Sequence, residues 1–375
     1  MEGKRGRLSR RGWWLAGALS ASLFLSLFLG PLEGGAAKSS GGFANAATSR
    51  SSTKAKHIVS ASPIAAGPSR SECLTPHAAP NQYGLAYLDS LVTAFNQTTH
   101  SSVTCLSTFL SGIPNWQAWD HPWIEDPTYG YNKWVEQAPQ ARQLVLAVQL
   151  IPDSLENVNN PLSWEQACAA GQYDTYAAQL GNSLVAAGLG NSVIRLGAEM
   201  NGIWESDFIG PTLQEQKLWA TCFDNEVTAL RQAPGSHFLI DWNVNACKGD
   251  YAYKNYYPGN AYVDIIGIDL YDVACLIPTT RVTFKQLSSE QLGLNYFEAF
   301  ARAQGKPMSF PEWGLSTVPS GDDASYINGI GLTVGSRDFA FETYFDAAAA
   351  GKALPLSTKT PKSLAAYQKW FGSIS

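Results

Sequence analysis

Apolar runs rich in β-forming residues alternate along this chain with stretches of helical periodicity. Residues 83–87 predict a short first strand and residues 102–109 a second. QLVLAVQLI, at 143–151, predicts a third that is apolar enough to be covered on both faces. Residues 174–189 then read as a helix, with Leu180, Leu184 and Leu189 along one side. SVIRLG at 192–197 is the fourth strand. A helix follows over 212–231, with Thr212 as its N-cap and Leu218, Cys222, Val227 and Leu230 facing inward. HFLIDW (237–242) and VDIIGIDL (263–270) are the fifth and sixth strands. A helix lies within 284–304, residues 307–310 lead into the seventh strand, and 338–345 form a weak eighth.

Buried strands alternating with helices imply a parallel sheet. About eight such units in one domain favour an α/β fold of the closed (β/α)8 TIM-barrel type over an open doubly wound sheet. No GxGxxG follows any of the strands, which weakens a dinucleotide-binding reading. The barrel, a single catalytic domain, is expected over residues 73–375. Residues 38–72 are rich in Ser, Ala and Gly with few large apolar residues, the composition of a flexible linker. Residues 1–37 have the layout of an export signal: Lys4, Arg5, Arg7, Arg10 and Arg11 precede an apolar run from Trp13 to Leu29. Ser9-Arg10-Arg11 before Trp13-Trp14 has the form of a twin-arginine signal. The expected location is therefore extracellular, with an uncleaved N-terminal membrane anchor as the alternative and no stable membrane partner once the signal is removed.

Composition narrows the partners. The net charge of −5 leaves no basic stripe to meet phosphates, which argues against a nucleic-acid partner. Twelve Trp are more than a core of this size needs, and aromatic faces are a usual support for sugar rings, although most of the twelve belong to the core.

Catalytic groups of a barrel sit at the C-terminal ends of its strands. The fourth strand runs into Ala198-Glu199-Met200-Asn201, the fifth into Asp241-Trp242-Asn243, the sixth into Asp269-Leu270-Tyr271-Asp272 and the seventh into Pro311-Glu312-Trp313-Gly314. Glu199 and Glu312 thus stand nearly opposite each other across the ring. Glycoside hydrolysis needs such a pair, one carboxyl to protonate the leaving oxygen and one to attack the anomeric carbon or activate water. Neither role requires a metal or a cofactor, and none is expected. Taken singly, each Glu could simply end a strand in solvent or pair with Arg195.

The motifs also carry a family likeness. RLGAEMNGIW (195–204) resembles the acid/base strand of glycoside hydrolase family 26, a β-mannanase-like barrel family of the large retaining clan A. PEWG (311–314) resembles its nucleophile strand, and YPGNAYVDIIGIDLYD (257–272) is similar to the segment ending strand six. The likeness extends from about Tyr83 to AYQKWFG at 366–372. It implies an endo-acting, retaining β-glycoside hydrolase, with Glu199 as acid/base and Glu312 as nucleophile. Tyr271 would hydrogen-bond Glu312 and keep it ionised and aimed, and Arg195 would lower the pKa of a neighbouring carboxylate. Asn201 would meet a sugar hydroxyl, and Trp204, Trp242 and Trp313 are candidate sugar platforms. The partner would be a β-mannan-like or β-glucan polysaccharide or oligosaccharide, and the tethered single domain suggests a monomer. Two departures touch specificity. Ala198 stands where mannan-cleaving members commonly carry His, and Glu205-Ser206-Asp207 where many relatives have a second aromatic.

Two other classes compete. A non-catalytic carbohydrate-binding barrel would have little reason to keep both Glu with Tyr271 and Asn201. A serine esterase lacks its G-x-S-x-G elbow here. The even count of six Cys in an exported chain suggests disulfides. The barrel order favours Cys73–Cys105, Cys168–Cys222 and Cys247–Cys275, against buried free thiols.

Overall fold

In the computed structural model the described residues are 71–372, apart from 77–80, 111, 156–161, 203, 247–252, 274–281, 291, 317–320 and 347–352. The expected export signal and nearly all of the expected linker lie outside them. Eight parallel strands close into a ring: β1 (Ser71–Thr75), β2 (Cys105–Leu110), β3 (Gln143–Val148), β4 (Val193–Leu196), β5 (Leu239–Asn245), β6 (Ile265–Tyr271), β7 (Met308–Ser316) and β8 (Phe339–Phe345). They pair in chain order, β6 pairs with β7, and β8 returns to β1 through Ser71↔Phe341 and Thr75↔Phe345. A two-residue strand, β9 (Ala353–Leu354), adds antiparallel to β7. The expected (β/α)8 barrel is the observed one.

Helices α1 (Leu85–Thr99), α2 (Trp116–Asp120) and α3 (Tyr131–Glu136) connect the early strands; α4 (Leu162–Ala169), α5 (Asp174–Ala186) and α6 (Leu213–Leu230) flank β4. Helices α7 (Phe284–Ser289), α8 (Leu294–Gln304), α9 (Ala324–Ser336) and α10 (Pro361–Phe371) complete the described set. The start of α6 is a capping box: Thr212 Oγ1 accepts the Glu215 N–H, and Glu215 Oε2 accepts the Thr212 N–H at 2.8 Å. None of the described helices is long and apolar enough to cross a membrane.

Two sequence-based assignments are corrected. Residues 83–87 are not the first strand but the approach to and first turn of α1, whose buried Leu88, Val92, Phe95 and Thr99 recur at helical spacing. The first strand is SECLT, which includes the last two residues assigned to the linker. The expected helix within 284–304 is two, α7 and α8, divided around Leu292, whose φ of 60° is left-handed.

The strands bury both faces, and the two faces differ. Outward, a large apolar layer packs the sheet against the helices. Inward, Cys73, Cys105, Val145, Val193, Ile265 and Phe341, from six strands, form a separate apolar cluster. Further along the same strands the inward positions become polar: Arg195, Asp241, Asn243 and Asp269 are all buried. Period-two alternation makes this arrangement, since Val193 and Arg195, Asp241 and Asn243, or Ile265 and Asp269 share a face. Cys73–Cys105 bridges register partners on β1 and β2, and Cys168–Cys222 joins α4 to α6. These are two of the three expected bridges; Cys247 and Cys275 lie outside the described residues.

Candidate active site

The polar upper end of the barrel converges on Arg195. Its Nη2 donates to Asn243 Oδ1 at 2.6 Å, Asp269 Oδ2 at 2.7 Å and Glu312 Oε1 at 2.8 Å, and Nε reaches Asn243 Oδ1 at 3.1 Å. Arg195 comes from β4, Asn243 from β5, Asp269 from β6 and Glu312 from β7, so four neighbouring strands are tied at one guanidinium. Burial works against its charge, but Asp269 and Glu312 outweigh burial and hold Arg195 above its ordinary pKa. Arg195 thus shows more than the predicted single ion pair.

Glu312 sits in β7 beside a register shift against β6 and β8, and Tyr271 Oη donates to its Oε2 at 3.1 Å. Both carboxyl oxygens therefore have donors, one cationic and one phenolic. Burial, reinforced by the charge of Glu312, holds the Tyr271 hydroxyl well above its usual pKa, so it stays protonated and able to donate.

Glu199 lies three residues beyond the end of β4, with a left-handed backbone at φ 53°. That conformation costs a non-glycine residue roughly 1–2 kcal/mol. It is held by Glu199 N–H to Asn243 O (3.1 Å), Met200 N–H to Gly197 O (3.2 Å) and Gly202 N–H to Glu199 O (2.6 Å). Gly197 is required just below: its φ is 59°, and a Cβ there would meet the Trp219 ring at 2.6 Å. The Glu199 carboxyl accepts from the neutral donors Asn245 Nδ2 (2.6 Å) and Trp204 Nε1 (2.7 Å) and is also hydrogen-bonded to Asp269. Burial first, then the charge of Glu312, raises its pKa.

One oxygen each from Glu199, Asp269 and Glu312 lie within 4.8 Å of one another. Three carboxyls this close would suit a cation, but Asp269 and Glu312 already accept from Arg195, which supplies a positive charge there. One guanidinium faces three carboxyls at these separations, and like charges this close disfavour full ionisation. Burial, with Glu312 and Glu199 adding to it, raises Asp269 well above its ordinary value against the pull of Arg195. Burial thus favours the protonated form at both Glu199 and Asp269.

The remaining predicted residues divide. Trp204 is at the mouth and 41% exposed, its indole N–H tethered to Glu199. Trp242 and Trp313 are corrected: both are fully buried and offer no face to a sugar. Each sits one position from an inward-facing residue, Asn243 or Glu312, so strand alternation turns it outward. Trp242 packs among Tyr253, Tyr256, Tyr257 and Phe300, and Trp313 lies on Tyr367 and donates to Glu342 at 2.6 Å. Asn201 is also redirected. It is buried, its Nδ2 donates to Asn245 O at 2.8 Å and its Oδ1 accepts the Asn245 N–H at 2.9 Å. It positions the asparagine that holds Glu199. In the loop after β2, Trp119 is buried and donates to Gln149 O, while Trp116 stacks on Tyr176 at 4.2 Å. Sequence reasoning assigned no role to Asn243, Asn245 or Asp269, although Asn243 and Asp269 stood in strand-end motifs on the parity of their inward neighbours.

Residues 134–306, a little under half of the chain, match the family model described as glycosyl hydrolase family 26. The matched segment carries Arg195, Glu199 and Tyr271 and ends before Glu312. No curated protein matches. Among solved structures, the chain is similar to a GH26 beta-mannanase from Bacteroides ovatus, BoMan26A, at 14% identity and TM-score 0.55, covering 80% of this chain and 87% of that one. It is likewise similar to the YdhT protein from Bacillus subtilis (15%, TM-score 0.53, covering 80% and 85%). The catalytic domain of a GH26 endo-beta-1,4-mannanase from Bacillus sp. JAMB-750 gives 14% identity and TM-score 0.51, covering 81% and 85%. At these identities the structural likeness speaks for the shared barrel.

Proposed function

We propose that the chain is a glycoside hydrolase of the family 26 type that cuts a mannan-type β-glycan within the chain, with retention, through Glu199 and Glu312. The observation that carries this reading is the pair itself: two carboxyls from opposite mouths of the barrel, with oxygens within 4.8 Å, in unlike surroundings. Retention is associated with carboxyl groups about 5–5.5 Å apart, inversion with about 6.5–9.5 Å. Oxygens within 4.8 Å of each other support the closer, retaining arrangement.

In the first step Glu312 attacks the anomeric carbon. The glycosidic C–O bond breaks, and the proton of Glu199 goes to the departing oxygen. In the second step Glu199, now a carboxylate, takes a proton from water as that water attacks the same carbon. The ester to Glu312 breaks and both residues return to their starting states. Arg195 and Tyr271 aim the nucleophile and balance its charge between steps. The structures of GH26 beta-mannanases similar to this fold support a mannan-type substrate. Export through the N-terminal segment and action as a monomer complete the proposal, and the two disulfides are consistent with an extracellular site of action.

The test uses purified protein on a panel of β-glycans beside Glu199→Ala and Glu312→Ala. Both variants are expected to lose hydrolysis of whichever glycan is cut. Azide is expected to restore Glu312→Ala in part and to give a glycosyl azide of inverted configuration, because a small anion can stand in for the missing nucleophile. Wild-type rates from either variant would remove its residue from the mechanism.

A further inference from the structure

Most of the buried carboxyls in the barrel are enclosed by packing, but Glu205 is only partly buried and stands at the mouth of the candidate site. It follows Glu199 in the loop after β4. Gln149, the first residue after β3, donates its Nε2 to Glu205 Oε2 at 3.0 Å. Gln149 is itself fixed, because its carbonyl accepts the Trp119 indole N–H at 2.8 Å. One residue further along the first loop and two along the second, the Leu150 N–H donates to Asp207 Oδ2 at 2.7 Å. Glu205 is thus held rigidly by one oxygen, while Oε1 has no hydrogen-bond partner among the described residues and is not enclosed.

We propose that Glu205, fixed by Gln149 on the wall beside Glu199, binds a hydroxyl of the substrate sugar through its outward oxygen and thereby helps to decide which β-glycan is accepted. The inference rests on the hydrolase reading and adds a specificity-determining residue to it. The charge state supports it. Burial, joined by the charges of Glu199 and Asp207 and by the more distant Glu312, pushes the Glu205 carboxyl up to about 9, against the pull of Gln149. Near neutral pH it is therefore a carboxylic acid, with one acceptor and one O–H donor. Gln149 takes the acceptor, which leaves the O–H on the outward oxygen. A neutral donor suits an uncharged sugar hydroxyl and provides nothing for a hydroxyl that is missing or capped.

The experiment measures kcat and KM on mannan- and glucan-derived oligosaccharides for wild type, Glu205→Gln, Glu205→Ala and Gln149→Ala. It also measures calorimetric binding of the same oligosaccharides in the Glu312→Ala background, with and without Glu205→Ala. Glu205→Ala is expected to raise KM roughly tenfold while kcat changes little, the pattern of lost uniform binding. Glu205→Gln, which keeps an outward donor, should recover most of that loss, and the alkaline limb of kcat/KM should stay in place. An unchanged KM with lowered thermal stability would reduce Glu205 to a clamp between loops and overturn the inference. A fall in kcat with a moved alkaline limb would also overturn it, since Glu205 would then act through Glu199. If the wild type cuts no β-glycan yet binds one in a Glu205-dependent way, the hydrolase reading fails and this inference stands. If binding is indifferent to Glu205 while hydrolysis proceeds, the reverse holds, and failure to bind any glycan sinks both.

Discussion

The mouths of β4 and β7 present the same side chain in opposite settings. Glu312 is part of a strand, and its donors are a guanidinium and a phenol. Glu199 hangs off the end of a strand in a left-handed turn, and its donors include an amide and an indole. A cation fixes a negative charge; neutral donors orient a carboxyl without requiring it to be charged. Burial then raises Glu199, and the neighbouring charge of Glu312 reinforces it. In the proposed mechanism, the division of labour between proton donor and nucleophile would follow from which donors each strand end supplies.

Five substitutions sharpen or break this contrast. The largest effect is expected from Glu199→Ala on the polysaccharide, a loss of roughly 10²–10⁴ in kcat/KM, the usual scale of general acid catalysis. On an aryl glycoside, whose leaving group needs no proton, cleavage of the aryl bond should be largely spared, whereas Glu312→Ala should fail on both. Equal losses on the two substrates would mean that the roles are not divided in this way.

Arg195→Met removes the shared cation and leaves Asp269 and Glu312 buried without it. Breaking such a pair costs about 3–5 kcal/mol, so the denaturant midpoint should fall strongly together with activity. A variant as stable as wild type would show that the guanidinium is not what reconciles the carboxyls.

Tyr271→Phe should cost less, because Arg195 still holds Glu312. Losing one hydrogen bond to a charged group, worth about 1.5–3 kcal/mol, predicts a fall in kcat of roughly 10–100-fold with stability nearly intact. The smallest change is expected from Asn245→Ala and is read as a pH profile. Activity requires protonated Glu199, so it is present in acid and lost as pH rises through the Glu199 pKa. Asn245 pulls that pKa down, so its removal should move the alkaline limb of kcat/KM to higher pH. A shift to lower pH would contradict the assignment of Glu199 as the acid.

The barrel was legible because each long strand is an apolar run bounded by polar residues, and the ends of β4 and β7 are where Glu199 and Glu312 stand. The first strand was not, because SECLT has a single large apolar residue and its pairing comes from β2 and β8, distant in sequence. The tryptophans failed for a different reason. Trp242 and Trp313 were judged by residue type and nearness to the mouth, whereas alternation alone, counted from Asn243 and Glu312, turns both away from the barrel axis. The same count would have turned Asp269 inward with Tyr271. Asn201 could not have been placed, since its partner Asn245 lies 44 residues away across β5. Glu205 was visible only as a departure in composition; that Gln149 restrains it is a fact of two loops meeting.

The most direct measurement is to trap the intermediate. An activated 2-deoxy-2-fluoro-β-glycoside of the accepted sugar slows the second step, and peptide mass mapping locates the sugar on the protein. The account predicts one covalent adduct, carried by Glu312, that forms in wild type and is lost in Glu312→Ala. An adduct on Glu199, or rapid turnover to an inverted product with no adduct at all, would contradict it.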